Sequence, residues 1–170
     1  PVVALYVYEP SVLRSADFDR CHLDFINDCL VELRDALARI GCPLLIRIGE
    51  CPEVLEDIRH THGVKALWSH EETGLDVTYA RDRRVAAWCR AQGIAWHELP
   101  QCGVVRRLRT RDGWARRWDQ RMGMPPAPTP TRVTTLAAWR DLSAVAAQHP
   151  VRDARALGLD GSPRPEALRG

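Results

Sequence analysis

Hydrophobic positions along the chain follow two alternating patterns, short apolar runs and longer stripes with a spacing of three and four residues. The short runs predict four strands, at Val2–Tyr8 and in "PLLIRIG", "VKALWS" and "IAWHEL". The stripes predict three intervening helices, at Phe18–Arg39, in "CPEVLEDIRHTHG" and at Asp76–Gln92. Because strands and helices alternate, the pattern predicts an α/β fold, a doubly wound parallel sheet with helices on both faces.

The first long helix carries the clearest stripe of the chain. Its members are Leu23, Ile26, Leu30, Leu33, Leu37 and Ile40. They recur at alternating intervals of three and four, which predicts one buried helical face. Gly41 follows directly and predicts the end of the helix.

The alternation ends after Pro100, and the composition of the chain changes there. "VVRRLRTRDGWARRWDQRM" mixes basic and aromatic residues and predicts one closing helix, whereas "GMPPAPTPTR" is proline-rich and extended. A last amphipathic helix is predicted at Thr134–His149. We therefore predict an α/β domain at residues 1–124, followed at 125–170 by a proline-rich linker with one helix that leads towards a further domain.

Composition narrows the function only slightly. An apolar fraction of 45% in 170 residues is enough for a core, and a net charge of +2 gives no general argument for nucleic acid. The apolar runs are too short to span a membrane, and the first residues do not have the pattern of a signal peptide. Six cysteines without a CxxC pair predict reduced thiols in a cytoplasmic protein. The histidine spacing predicts no metal site.

Polar residues follow the predicted strands at the positions where a parallel sheet binds ligands. They stand in Tyr8-Glu9-Pro10, Gly49-Glu50, Ser69-His70-Glu71-Glu72 and at Glu98. Ligands of open α/β sheets bind beyond the carboxyl ends of the strands, which favours a small-molecule cleft, although solvated loops have the same composition. His70 beside two acids has no nucleophile nearby in sequence, so no catalytic residue is predicted. Neither a GxGxxG motif nor a Walker loop is present.

Two sets of arginines need an explanation. Arg81 falls on the apolar face of its helix, which predicts a structural ion pair with Glu71 or Glu72. Seven arginines between Arg106 and Arg121 alternate with Trp114 and Trp118. Such a segment either contacts nucleic acid through phosphates and stacked bases or docks another domain.

Taken together, these segments resemble a known family. "DFDRCHLDFINDCLVELRDALARIGCPLLIRIGECPEVLEDI", followed by "ALWSHEETGLDVTYARDRRVAAWC", resembles the N-terminal α/β domain of the photolyase/cryptochrome family. The resemblance covers Val2 to Pro125, and it rests on the order of the elements, the "SHEE" strand end and the "ARD" of Ala80-Arg81-Asp82.

The resemblance implies a light-dependent system. In that family the α/β domain can hold an antenna chromophore, which is a folate, a deazaflavin or a flavin. The catalytic FAD and most contacts with damaged DNA belong to a C-terminal helical domain, and nothing after Pro150 resembles that domain. The resemblance therefore implies that this chain is inactive alone, whereas its parent is a FAD-dependent deoxyribodipyrimidine photo-lyase or a cryptochrome photoreceptor.

The sequence departs from the family pattern at two places. The opening "WFRxDLRxxDN"-type strand and its helix are missing. Because that strand is central in the order 3-2-1-4-5, we expect a slot with unpaired edges, filled by another strand or by self-association. Val77 and Thr78 stand where folate-binding members carry Asn-Glu, so the resemblance favours a deazaflavin or flavin over a folate.

Six residues are the candidates for binding such a cofactor. They are Glu9, Gly49, Glu50, His70, Glu71 and Thr78. The acids would accept hydrogen bonds from a ring N–H or a ribityl hydroxyl, and Gly49 would permit a close approach of the backbone. The alternative to this interpretation is a stand-alone nucleotide- or partner-binding α/β module without photochemistry.

Overall fold

The computed structural model describes residues 1–101, 103–106 and 108–159. Within these residues four strands lie at Ala4–Tyr8 (β1), Leu44–Ile48 (β2), Ala66–His70 (β3) and Ala95–Leu99 (β4). The same described part of the chain contains six helices, at Pro10–Leu13 (α1), Arg20–Arg39 (α2), Cys51–His62 (α3), Asp76–Gln92 (α4), Trp114–Met122 (α5) and Leu142–Gln148 (α6). Ala137–Trp139 forms a 3-10 turn before α6. The predicted alternation of strands and helices is confirmed up to β4, with boundaries within a few residues.

The strands form parallel pairs, as the α/β pattern predicts. β1 pairs with β2 from Ala4–Leu44 to Tyr8–Ile48, and β3 pairs with β4 from Ala66–Ala95 to His70–Leu99. They form two two-stranded sheets, and within the described residues β1 and β3 each have one hydrogen-bonded neighbour. These are the pairs that the order 3-2-1-4-5 retains when its first strand is left out.

The chain divides into two compact units. The first combines Pro1–Glu50 with the described residues from Thr129 to Leu159, and the second is Cys51–Pro128. The boundary predicted at residues 124/125 thus lies inside the second unit, and the later segment packs on the first, where Trp139, Val145 and Ala154 are buried. The helix predicted at Thr134–His149 is shorter because Asp141 caps a new start, accepting a hydrogen bond from Ala144 N at 3.0 Å.

The core of the first unit lies between α2 and the β1–β2 sheet. Tyr8, Leu23, Leu30 and Ile46 are buried in it. Asp19 caps α2 by accepting a hydrogen bond from Cys21 N at 2.8 Å, and Gly41, with φ at 73°, ends the helical segment. The predicted stripe is wrong at Leu33, which is 44% exposed because it lies at the edge of the buried face.

The core of the second unit lies between α3 and α4. The buried residues are Val54, Leu55 and Ile58 on α3 and Val85 and Cys89 on α4. The Trp88 indole donates to Glu56 Oε2 at 2.8 Å and ties the two helices together. Trp68 is 63% exposed and stacks on His97 at a centroid distance of 4.9 Å, because both side chains project from the exposed face of the β3–β4 sheet.

Two general properties of the described part agree with its composition. None of its helices is long and apolar enough to cross a membrane. The five described cysteines, Cys21, Cys29, Cys42, Cys51 and Cys89, form no disulfide with one another, and the sixth, Cys102, lies outside the described residues.

Candidate ligand-binding site at the strand ends

In the first unit, three of the six predicted site residues come together. β1 and β2 end side by side at Tyr8 and Ile48, so Glu9 follows one strand where Gly49 and Glu50 follow the other. Gly49 N donates to Tyr8 O at 3.1 Å and extends the pairing by one step. We call Glu9, Gly49 and Glu50 the first edge.

Each residue of the first edge has a defined role in the backbone. Glu9 is only 5% exposed, and its carbonyl accepts from Val12 N and Leu13 N at 3.0 and 2.9 Å as the N-cap of α1. The Glu50 carboxylate accepts from Ser11 N at 3.0 Å and from Ser11 Oγ at 2.7 Å. Glu50 therefore holds the start of α1 in position.

Gly49 has a backbone conformation that favours glycine. Its φ is 147°, in the region that other residues rarely adopt. Gly49 therefore ends β2 with a backbone conformation that a residue with a Cβ would rarely adopt.

In the second unit, β3 and β4 end together at His70 and Leu99. Glu71 N donates to Leu99 O at 2.9 Å, and His70 Nδ1 lies 3.3 Å from the same oxygen. The His70 side chain is exposed. When Nδ1 carries the proton it donates to Leu99 O, which leaves Nε2 as an acceptor. We call His70 and Glu71 the second edge.

Thr78, the sixth candidate, lies one turn into α4. Its hydroxyl donates to Leu75 O at 2.8 Å, an oxygen that also accepts from Tyr79 N at 2.9 Å. The geometry gives this hydroxyl a structural role, and its remaining capacity is that of an acceptor.

The predicted ion pair of Arg81 is confirmed, with Glu72 as the partner. Arg81 Nη2 lies 3.4 Å from Glu72 Oε2, and Arg81 Nε donates to Asp82 Oδ1 at 2.9 Å. Glu72 Oε1 also accepts from Gly74 N at 2.6 Å. The pair therefore fixes the turn between β3 and α4.

Arg106 completes this network. Its structural role was not predicted from the sequence. Its Nη1 donates to Glu98 Oε1 at 2.7 Å, and its Nε donates to Glu72 O at 2.8 Å. Nη2 lies 3.5 Å from Asp82 Oδ2, and the guanidinium carbon lies 5.9 Å from the Tyr79 ring centroid. Arg106 thus connects the ends of β3 and β4 to α4.

The charges of this network shift the pKa values of its members. Burial alone would lower the pKa of Arg106, but the hydrogen bond to Glu98 and the charges of Glu98, Glu71 and Asp82 outweigh it and raise that pKa. Asp82 is 9% exposed, and burial raises its pKa although Arg81 opposes the shift. The sequence did contain a signal for the burial of Asp82, because it precedes the buried Val85 and Cys89 by three and seven residues on α4.

The basic and aromatic segment folds back on its own loop. The Trp114 indole donates to Gly103 O at 3.2 Å, and Arg121 donates to Pro100 O. A Cβ at Gly103 would lie 2.0 Å from Trp118 Cδ1, so the Trp118 ring packs directly on this glycine. Trp114 and Trp118 nevertheless remain 39% and 41% exposed, and α5 has no buried residue.

The six candidates therefore form two local groups, one at the carboxyl end of each sheet, with Thr78 beside the second in sequence. Cavities of about 450, 200 and 550 Å³ are lined by other residues of the first unit, none of them among the six. The carboxyl-end placement of the polar groups is typical of ligand-binding α/β domains of the doubly wound class.

The comparison with known proteins narrows this class to a family. The family model described as DNA photolyase matches residues 1–130, which is more than half of the chain. The chain therefore belongs to the DNA photolyase family, and the match corresponds to the N-terminal domain of its members. The predicted family resemblance is confirmed.

Curated relatives and a solved structure agree with this assignment. The chain is 29% identical over 142 residues to a deoxyribodipyrimidine photo-lyase of Halobacterium salinarum, covering 76% of this chain and 28% of that protein. It is 29% identical over 157 residues to an uncharacterized 31.6 kDa protein of Synechococcus sp., covering 88% and 48%. The chain thus spans between about a quarter and a half of these relatives.

The solved structure of an archaeal photolyase from Sulfolobus tokodaii has a similar fold. It superposes with a TM-score of 0.55 at 17% identity, over 69% of this chain and 28% of that one. The similarity supports the α/β fold with parallel strands. The crystals of that photolyase contain two FAD molecules, and its description refers to a novel light-harvesting cofactor.

Proposed function

We propose that this chain is the antenna-type N-terminal domain of a light-dependent deoxyribodipyrimidine photo-lyase or of a cryptochrome photoreceptor. The family match over residues 1–130 carries the proposal. In the parent protein this domain acts beside a C-terminal helical domain that holds FAD and contacts damaged DNA, and the chain alone repairs nothing. A stand-alone binding module is not favoured, because the match is to a photochemical family.

The ligand that we propose is a flavin-type antenna chromophore, a flavin or a deazaflavin. Both present ring N–H donors and ribityl hydroxyls, which require acceptors at the rim of a site. His70 Nε2 and the Glu71 carboxylate supply such acceptors at the second edge.

Two of the six candidates fit a supporting role better than direct contact. The Glu50 carboxylate already accepts two hydrogen bonds from Ser11, and the Thr78 hydroxyl donates to Leu75 O. We propose that these two residues position the backbone of the edges, while His70 and Glu71 contact the ligand at the second edge.

The residues at the start of α4 support a flavin-type ligand over a folate. Val77 has no hydrogen-bonding side chain, and the Thr78 hydroxyl has a partner within its own helix. Val77 and Thr78 therefore offer a folate neither the amide nor the carboxylate of the Asn-Glu pair that folate-binding members carry at these positions.

Ligand titration tests the proposal. Purified chain is titrated with flavin mononucleotide, a 5-deazaflavin and a methenyl folate, and binding is followed by ligand fluorescence. We expect saturable binding of a flavin-type ligand, weakened about tenfold by His70→Ala, which removes an acceptor, or by Glu71→Gln, which replaces a charged acceptor by a weaker neutral one. The matched control is Glu53→Gln, an exposed acid on α3 that leaves binding unchanged.

Three results would contradict the proposal in different ways. Tight binding of the folate alone would overturn the choice of chromophore. Equal losses for Glu53→Gln and Glu71→Gln would remove the second edge from the site. Saturable binding of none of the three ligands would remove the antenna role and leave only the family assignment.

A further inference from the structure

Helix α2 is nonpolar over a wider arc than its own sheet covers. At 100° per residue the nonpolar positions other than Val31 and Ala38 span about 200° of the helical wheel, whereas one packed face needs roughly half of that. The half that faces the sheet consists of Leu23, Ile26, Leu30 and Leu37. The other half, which we call the outer stripe, consists of Cys21, Phe25, Cys29, Leu33 and Ala36.

The outer stripe is a surface feature of the first unit. Phe25 is 69% exposed and Leu33 44% exposed, and the remaining three members are also exposed. A shallow groove of about 550 Å³ follows its C-terminal half and is lined by Cys29, Glu32, Leu33, Asp35, Ala36 and Arg39. Successive members are spaced by four, four, four and three residues, so the stripe runs along one side of the helix for about four turns.

A row of acids borders the outer stripe on one side. Its members, which we call the acidic row, are Asp24, Asp28, Glu32 and Asp35, and all four are exposed. Only Arg39, at the C-terminal end of the helix, brings a positive charge to this side. Two copies of α2 packed on each other would bring two acidic rows together, so like-charge repulsion disfavours that partner.

We propose that the outer stripe docks an amphipathic helix of a partner protein whose apolar stripe is bordered by arginines or lysines. Burial of Phe25 and Leu33 supplies the attraction, and the acidic row selects a basic partner. On the wheel of α2 the acidic row lies just before the outer stripe in order of increasing angle. If the partner helix packs antiparallel and carries its basic residues just before its own apolar stripe in the same order, those residues lie beside the acidic row.

The chain itself contains a helix with this chemistry, which provides the probe. On the wheel of α5 the apolar stripe is Trp114, Trp118 and Met122, and Arg117 and Arg121 precede it on the side where α2 carries acids. A synthetic peptide "RDGWARRWDQRMGM" therefore presents two tryptophans as anchors, with arginines on the side of its apolar stripe that would face the acidic row.

The test is the binding of this peptide, fluorescein-labelled, to the purified chain by fluorescence anisotropy. We expect saturable binding that weakens as salt is added, because the paired charges are exposed. Phe25→Ser removes the largest anchor and weakens binding about tenfold or more. Asp24→Asn with Asp28→Asn weakens binding and flattens its salt dependence.

Two matched controls accompany these variants. Val31→Ser changes a 51% exposed apolar residue on another side of α2 and leaves binding unchanged. A peptide whose arginines are replaced by glutamates does not bind. Circular dichroism of each variant confirms that α2 is intact.

Any of three results overturns the proposal: no saturable binding of the basic peptide at low salt, equal binding by Phe25→Ser and the parent chain, or equal losses in Val31→Ser and Phe25→Ser. The proposal is independent of the antenna, because none of its residues is a candidate for binding the chromophore.

Discussion

Arg106 Nη1 lies 2.7 Å from Glu98 Oε1, so an arginine of the loop after β4 pairs with an acid at the end of that strand. The same guanidinium donates to Glu72 O at the end of β3 and lies beside Asp82 of α4. A residue that the sequence assigned to a possible nucleic-acid surface is therefore part of the framework of the second unit.

Replacing Arg106 tests this structural role. Arg106→Ala leaves Glu98 without this partner and Asp82 with one cation fewer, so we expect the free energy of unfolding to fall by about 1–3 kcal/mol. Urea unfolding followed by tryptophan fluorescence measures the loss. Arg109→Ala, at an exposed position of the same segment, is the matched control and stays within about 0.5 kcal/mol of the parent. Equal effects of the two variants would contradict the account.

The buried Asp82 carboxyl predicts a pH dependence. Burial raises its pKa above the ordinary 3.8, so the folded chain holds this proton more tightly than the unfolded chain. Asp82 therefore makes stability fall as the pH rises from the ordinary pKa through the raised one. Asp82→Asn removes this contribution. Thermal unfolding of both proteins across this pH range measures the difference, and parallel curves would show that Asp82 is not the group responsible.

The pKa of Glu56 is shifted in the direction opposite to that of Asp82, so its effect on the pH dependence of stability has the opposite sign. Hydrogen bonds from Arg59 and Trp88 lower its pKa from 4.5 to about 2. The stability that Glu56 contributes is present above its unfolded pKa and is lost as the pH falls through its folded pKa. The Trp88 indole N–H signal in nuclear magnetic resonance reports this titration directly, because it donates to Glu56 Oε2 at 2.8 Å. We expect a midpoint near pH 2, absent in Glu56→Gln, whereas a midpoint at 4.5 would contradict the contact.

Hydrogen bonds of Tyr8 and Asn27 with the backbone of Arg152 hold the C-terminal segment within the first unit. The Tyr8 hydroxyl donates to Asn27 Oδ1 at 2.6 Å and lies 3.4 Å from Arg152 N, while Asn27 Nδ2 donates to Arg152 O at 2.9 Å. Tyr8→Phe should cost about 1–2 kcal/mol and speed amide exchange around residue 152. Tyr79→Phe, an exposed tyrosine of the second unit, is the control. Unchanged exchange in Tyr8→Phe would show that the segment is held by other contacts.

Local pattern was sufficient to predict most of the elements of the fold. The four strands and three long helices appear where apolar periodicity placed them, and Arg81 pairs with Glu72, one of the two acids that the sequence offered as partners. The pairing of β1 with β2 and of β3 with β4 also matches the order that the family resemblance implied. These features depend on neighbours in sequence or on the fold class.

The features that sequence reasoning missed depend on contacts between distant residues. Arg106 meets Glu72 across 34 residues of chain, and no local pattern separates it from the exposed arginines that follow. Trp68 is apolar and in a strand, yet its face of the sheet is exposed. The helix predicted at Thr134–His149 is divided because Asp141 caps α6 and the segment packs on the first unit.

The proposed role of this chain is that of the antenna-type domain of a light-dependent flavoprotein. The near-UV and visible absorption spectrum of the complete gene product, purified in dim light without added cofactor, tests this role. We expect the absorption bands of a flavin, and any additional band would indicate the antenna chromophore. A colourless protein that stays colourless after incubation with FAD would contradict it.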